Sequence, residues 1–228
     1  MVTEISGNIF DSKRDVIVNA VNCVGIMGAG IALEYRLRYP DMFSKYQQFC
    51  EDGLLDIGKI WIYGNVGSQR VLNFPTKKHW KFPSKEEYLR KGLEKFVETY
   101  KEKHVGSIAF PLLGADKGGL GKERSLSIMQ EYLDTLDIDV DIYFYDPMAK
   151  DSLCEHVKLV LSFESPLQIK SAVGLRESDL TKVKEALARE EINQLSQLLK
   201  VKGIGQKVVE KLYLLKDYEL QPKQGEIF

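Results

Sequence analysis

The chain has 228 residues, of which 44% are hydrophobic and 29% charged, and its net charge is −1. That length supports one or two domains with their own cores and no need of disulfide or metal staples. The near-neutral balance excludes a chain drawn as a whole to nucleic acid or anionic membrane, so any such contact must come from a local patch.

No run approaches the roughly 18 apolar residues of a membrane span. The opening MVTEISGNIFDSKRD has neither a basic n-region nor an apolar h-region, so no signal peptide is expected. Cys23, Cys50 and Cys154 are far apart, as are His79, His104 and His156, and no zinc spacing joins them. These features predict a cytoplasmic protein with no metal site and no membrane partner.

In chain order, strand-like apolar runs fall at 15–19, 59–64, 70–74, 107–113 and 140–145, with helical patterns between them. In 84–103, Leu89, Leu93, Phe96, Val97 and Tyr100 share one helical face, and Ser84 with Glu87 reads as a capping box. In 122–136, Leu126, Met129, Leu133 and Leu136 repeat the spacing. Several strand runs are continuously apolar, as in strands covered on both faces. The pattern predicts a three-layer α/β domain with a mixed sheet. Strand signals stop near 150, and 166–228 reads as helices only, which puts a domain boundary at 150–165. The last residues, 221–228, read as a loose tail.

Two glycine segments stand out. In VNAVNCVGIMGAGIALEY (18–35) a strand ends, Gly25, Gly28 and Gly30 follow, and a helix begins near Gly30. GADKGGLG (114–121) repeats the order of strand, glycine loop and helix. Glycines let backbone amides approach a ligand, and a helix N-terminus adds free N–H groups and a positive dipole end, a combination that favours phosphate or pyrophosphate. Two such loops at strand C-terminal ends face one crevice. Neither G-x-G-x-x-G nor a Walker A sequence is present.

Four segments, in order, resemble the macrodomains, a family of ADP-ribose-binding modules: GNIF (7–10), NAVNCVGIMGAGIALEY (19–35), NFPTKKHW (73–80) and PLLGADKGGLG (111–121). NFPTKKHW narrows the resemblance to the DarG-type DNA ADP-ribosyl glycohydrolases, whose macrodomain reverses ADP-ribosylation of DNA bases. The resemblance covers about residues 1–150. It implies an α/β/α macrodomain over 1–155, and the helical pattern beyond it reads as a small all-α domain over 166–220. It further implies a hydrolase that removes ADP-ribose from a modified nucleic acid or protein, with ADP-ribose as ligand or product, no other cofactor, and a partner ADP-ribosyltransferase. The alternative is a non-catalytic binder or sensor of ADP-ribose or a related nucleotide.

Roles carry over position by position. The resemblance puts Asn8 and Ile9 at the adenine, where the Asn8 oxygen accepts from the amino group, and Tyr145 there as a stacking ring, with core packing as its alternative. It puts Asn19 and Asn22 at the distal ribose; the alternative is an amide that shapes the turn locally. Gly28, Gly30 and Ile31 in loop 1, and Gly114, Lys117, Gly118, Gly119 and Leu120 in loop 2, line the diphosphate, with Thr76 beside them. Lys77 matches the catalytic lysine, either as an attacking amine or as a charge stabilising the leaving group. Asn22 and Asp116 complete the expected catalytic set, Asp116 as a proton-transfer group if burial tunes it. His79 and Trp80 help shape the site, or Trp80 is plain packing. Loop 2 departs from the relatives: Ala115, Asp116 and Lys117 stand where they read cysteine, glycine and asparagine, and Gly121-Lys122 replaces an Asp-Trp.

LLKVKGIGQKVVEKL (198–212) resembles a helix-hairpin-helix, a glycine hairpin between apolar-faced helices. That resemblance implies DNA phosphate contact through Lys202, Gly203, Gly205 and Lys207. The alternative is a hairpin used only for packing, since 166–228 holds eleven Lys or Arg against nine Asp or Glu.

Overall fold

The computed structural model describes residues 1–220; the predicted tail, 221–228, lies outside them. Contacts divide the chain into two units, the first Met1–Asp146 and the second beginning at Pro147.

The first unit has a six-stranded sheet. Its strands are β1 (Val2–Gly7), β2 (Val16–Asn22), β3 (Trp61–Tyr63), β4 (Arg70–Lys77), β5 (Ser107–Pro111) and β6 (Asp139–Tyr145). The order is β1-β6-β5-β2-β4-β3. All neighbours are parallel except β3, which runs antiparallel to β4 at the edge. The sheet is therefore mixed, as the sequence predicts. β1, which the apolar runs do not reveal, has only half-buried and exposed residues and owes its strand form to pairing with β6.

The helices α1 (Gly30–Arg38), α2 (Pro40–Glu51), α3 (Glu86–Thr99) and α4 (Lys122–Leu133) cover both faces. Alternation along β2 divides the core. Val16 and Val18 join Leu89, Leu93 and Phe96 of α3 and Ile128 and Met129 of α4. Ile17 and Val21 join Tyr35 of α1 and Met42 and Tyr46 of α2. β4 is buried from Arg70 to Thr76, and Lys77 is the first of its residues to emerge. Gly92 lets α3 press on β4: a Cβ there would lie 2.2 Å from the Phe74 ring.

The predicted capping box does not form. Lys85 is the N-cap of α3 and makes no side-chain cap bond. The Ser84 N–H instead donates to Gly118 O at 2.8 Å, a tertiary bond that holds this turn against loop 2.

The second unit, taken alone, is helical: α5 (Ser152–Phe163), α6 (Pro166–Val173), α7 (Glu177–Leu187) and α8 (Gln206–Tyr213), with 3-10 turns at Leu195–Lys200 and Leu214–Asp217. Asp151 caps α5, Ser165 and Gln168 form a capping box on α6, and Gly174 ends α6 in the left-handed conformation. Val157, Val160, Ile169, Val183, Leu195, Leu198, Val209 and Leu212 are buried. The hairpin at 198–212 therefore has a 3-10 turn, not an α-helix, as its first arm.

Candidate functional site

Because β2, β4 and β5 run parallel, their C-terminal ends share one edge, and both glycine loops and Lys77 leave from it. Each loop leads into a helix whose N-cap makes no side-chain hydrogen bond, Ala29 for α1 and Gly121 for α4. The first-turn N–H groups of both helices are thus uncapped by side chains, as an anion site requires. Gly30 has φ +58, and a Cβ there would lie 3.6 Å from Lys117 Cγ, so the two loops approach each other.

Loop 1 is shaped by one side chain. The Asn22 amide oxygen accepts from Val24 N–H at 3.0 Å, Ile26 N–H at 3.4 Å and the Tyr46 hydroxyl at 3.1 Å, and its nitrogen donates to Ile26 O at 2.5 Å. The Tyr46 hydroxyl also donates to Asn22 O at 2.8 Å. Of the two roles read for Asn22, turn-shaping is the one its contacts display, and its polar atoms are engaged inside the protein. Asn19 is fully buried, with its nitrogen 3.0 Å from Asn73 Oδ1 and 3.8 Å from Met27 Sδ. Asn19 Oδ1 and Asn73 Nδ2 have no hydrogen-bond partner among the described residues. Asn19 is accordingly not at an open surface; Met27, itself buried, packs over it.

Loop 2 is shaped by backbone. Leu120 N–H donates to Gly114 O at 2.9 Å and Gly119 N–H to Asp116 O at 3.4 Å. Gly114 and Gly119 have φ of +71 and +80, and a Cβ on Gly118 would lie 2.1 Å from Gly114 O. Side chains at 115–117 carry none of this frame. Asp116 is exposed, so the burial that would tune it for proton transfer is absent. Lys117 is exposed as well.

Lys77 is partly buried at the end of β4, and its ammonium donates to the Lys117 carbonyl, which sets the amine against loop 2. Burial lowers its pKa below the ordinary lysine value. Thr76 is buried beside it, with its hydroxyl 3.4 Å from Val21 O. Cys23, next in loop 1, bonds Lys77 O, and burial, followed by Asp56, pushes its thiol up to about 12, so it is not a thiolate nucleophile at neutral pH.

At the other end, the Asn8 oxygen accepts from Phe10 N–H at 3.2 Å and caps the turn Ile9–Asp11. A carbonyl oxygen keeps a second lone pair for a ligand. Ile9 is buried, and Ile31 is half-buried against the same core cluster. The Arg38 guanidinium sits 4.2 Å over the Phe10 ring and pairs with Glu34 at 3.1 Å. Tyr145 is exposed, not core packing. Partial desolvation, then the charges of Glu34, Asp146 and Asp116, raise its pKa, so loop 2 lies near the end of β6. Tyr46, Asn73 and the Arg38–Glu34 pair were not read from the sequence; Asn73 stands opposite Asn19 only once β2 and β4 are paired.

In the second unit, Lys202, Gly203, Gly205 and Lys207 are all exposed around buried Ile204. Lys182 reaches the same turn, its Nζ 3.7 Å from where a Gly203 Cβ would stand. Among the described residues no cluster of three or more His, Cys, Asp or Glu side chains fits a metal ion, and no helix is long and apolar enough to cross a membrane.

The Macro domain family model matches residues 18–129. A Mycobacterium tuberculosis protein named DNA ADP-ribosyl glycohydrolase is 38% identical over 165 residues, which is 69% of this chain and 46% of the relative. The solved macrodomain of M. tuberculosis DarG is 40% identical with a TM-score of 0.60, and the match covers 63% of this chain and 97% of that one. A Thermosipho africanus DNA ADP-ribosyl transferase-DNA ADP-ribosyl glycohydrolase fusion protein is 32% identical over 164 residues, 64% of this chain and 42% of its own length. The T. africanus DarTG structure in complex with ADP-ribose matches with a TM-score of 0.61 at 32% identity, over 64% of this chain and 41% of that one. The match thus spans less than half the length of these two curated relatives. With the sheet order, the paired glycine loops and this likeness to a nearly complete solved macrodomain in agreement, the chain belongs to the macrodomain family.

Proposed function

We propose that this chain is an ADP-ribosyl glycohydrolase that releases ADP-ribose from modified DNA. The observation that carries the reading is the Lys77 amine, partly buried and bonded to the loop 2 carbonyl of Lys117, on the strand edge shared by both glycine loops. The diphosphate lies along Gly28, Gly30, Ile31, Gly114, Gly118, Gly119 and Leu120, drawn by the uncapped N-termini of α1 and α4. The adenine lies toward Asn8 and Tyr145. The distal ribose then presents its anomeric carbon to Lys77. Hydrolysis adds water across the glycosidic bond: hydroxyl goes to the anomeric carbon and the proton to the departing base.

A lowered pKa leaves more neutral amine at neutral pH than an exposed lysine has, which favours the amine over the ammonium as the working form. The test is turnover of an ADP-ribosylated single-stranded oligonucleotide by the full chain. Wild type is expected to release ADP-ribose, Lys77→Ala to lose most activity, and the rate to rise with pH through a midpoint below the ordinary lysine value. An inactive wild type, or a fully active Lys77→Ala, overturns the reading. A flat or falling pH profile assigns the work to the ammonium. The exposed charges at Asp116 and Lys117 favour the second reading, a binder of ADP-ribose, which predicts affinity by calorimetry without turnover.

The name of the T. africanus fusion protein supports a partner ADP-ribosyltransferase for this chain. The exposed Lys182, Lys202 and Lys207 around the Gly203 turn support phosphate contact with DNA by the second unit. The three free cysteines, Cys23, Cys50 and Cys154, support a reducing, cytoplasmic setting.

A further inference from the structure

Directly after Lys77 the chain leaves the sheet through a run of aromatic side chains that the fold does not bury. Trp80 is 50% exposed and Phe82 64% exposed. The His79 ring stacks on Trp80, with centroids 5.6 Å apart and planes 25° apart, and lies 5.7 Å from the Phe82 ring. Lys81 Nζ is 5.2 Å from the Trp80 centroid. Plain packing, the alternative read for Trp80, does not leave so large a ring in water. Exposed apolar surface of this kind marks an interaction site.

The segment is held firmly. Phe82 N–H donates to His79 O at 3.1 Å, and Lys81 N–H to His79 Nδ1 at 3.2 Å. Its two ends are tied to the two ligand loops: Lys78 O accepts from Cys23 N–H at 3.3 Å, and Ser84 N–H donates to Gly118 O at 2.8 Å. The segment that carries the rings is thus pinned to loop 1 at one end and to loop 2 at the other, directly after Lys77 in the chain. Loop 1 adds Val24 and Ile26, 41% and 44% exposed. Of the lysines in and beside the segment, Lys78 is taken by Asp56 at 2.7 Å, while Lys81 and Lys85 make no ion pair among the described residues and lie over the Trp80 and Tyr88 rings.

Flat rings interleaved with unpaired lysines fit a polyanion that carries flat bases. We propose that His79–Phe82 is a stacking platform for the unpaired bases of single-stranded DNA beside the modified nucleotide, with Lys81 and Lys85 meeting its phosphates. A duplex keeps its bases stacked inside and offers the rings nothing to hold. This inference rests on the glycohydrolase reading for the position of the strand over Lys77, and it names what holds that strand.

The test compares full-length wild type with Trp80→Ala, Phe82→Ala and Trp80→Phe. The substrates are an ADP-ribosylated single-stranded oligonucleotide and the same ADP-ribosylated base as a single nucleoside, with free ADP-ribose measured by calorimetry. KM for the oligonucleotide is expected to rise about tenfold in each alanine variant, the loss of one stacked base. kcat/KM for the nucleoside and affinity for ADP-ribose stay at wild-type values, and Trp80→Phe recovers most of the loss. Equal losses on oligonucleotide and nucleoside, or wild-type KM in both alanine variants, overturn the platform. A separate arm follows quenching of tryptophan fluorescence by an unmodified single-stranded oligonucleotide in wild type and in Trp80→Phe, which leaves Trp61 as the background and needs no turnover. If wild type turns over neither substrate, the glycohydrolase reading fails, and this arm still judges the platform: quenching above that background supports it and its absence overturns it.

Discussion

The two ligand loops perform similar tasks by opposite means. Loop 1 takes its shape from side chains, chiefly the Asn22 amide and the Tyr46 hydroxyl, which satisfy its backbone from within. Loop 2 takes its shape from backbone bonds and from glycines at 114, 118 and 119 that no other residue fits without strain. A loop of the first kind ties residue identity to shape. A loop of the second kind leaves its remaining positions free to change. That is why Ala115, Asp116 and Lys117 can depart from the pattern of the relatives while Gly118 and Gly119 cannot.

The comparison breaks most visibly at Gly118. A Cβ there meets Gly114 O at 2.1 Å, and the obstacle is backbone with no rotamer to give way. Overpacking of this kind costs about 1–3 kcal/mol when it can relax. Here relaxation must rebuild the loop. Gly118→Ala is expected to weaken ADP-ribose binding by roughly a hundredfold in calorimetry, with the circular dichroism of the fold retained. Wild-type affinity in that variant would mean that loop 2 is not held by its backbone.

Asn22 and Tyr46 probe the other side of the contrast. Asn22→Ala removes the acceptor of two partly buried N–H groups and the donor to Ile26 O, while the Tyr46 hydroxyl keeps the Asn22 carbonyl, a loss of about 1–2 kcal/mol. In a chain of this size each kcal/mol moves the melting temperature by about 2–4 °C. Tyr46→Phe removes one hydroxyl and is expected to cost about 1 kcal/mol. Because the two residues share bonds, the double variant should be less destabilised than the sum, and strict additivity would show that the hydroxyl does not hold the loop.

What was legible in the sequence follows the same division. Glycine loops advertise themselves, because the conformations they need restrict the residue type; both loops and the strands feeding them were readable for that reason. Bonds between distant positions left no local trace. Asn22 resembles a ribose ligand until Tyr46, 24 residues away, is found on its oxygen. Ser84 and Glu87 have capping-box spacing, yet the Ser84 N–H belongs to Gly118. β1 carries Thr, Glu and Ser and pairs with a strand more than 130 residues later, so only the assembled sheet reveals it. α2 had readable signs, Pro40 at its first turn and Met42 four residues before Tyr46, but only two of its twelve residues are buried and its amphipathic stripe is thin. Trp80 shows the limit most clearly: no pattern in NFPTKKHW separates a buried tryptophan from an exposed one.

The smallest expected effect is also the sharpest statement of how loop 2 works. Asp116 and Lys117 are exposed, and within the loop only their backbone carbonyls are engaged, one by Gly119 N–H and the other by the Lys77 ammonium. Alanine keeps both carbonyls. Asp116→Ala and Lys117→Ala are therefore expected to leave the melting temperature within about 1 °C of wild type, as for surface substitutions generally. Affinity is where they separate. The Lys117 side chain lies 3.6 Å from the Cβ position of Gly30, at the uncapped start of α1, so its charge faces the proposed diphosphate. Removing an exposed charge costs about 0.2–1 kcal/mol, so Lys117→Ala should weaken ADP-ribose binding about two- to fivefold and flatten its salt dependence. Asp116→Ala removes a repelling charge and should tighten binding slightly. If Lys117→Ala instead lowers the melting temperature by several degrees, the side chain is part of the loop's frame, and the two loops are built alike after all.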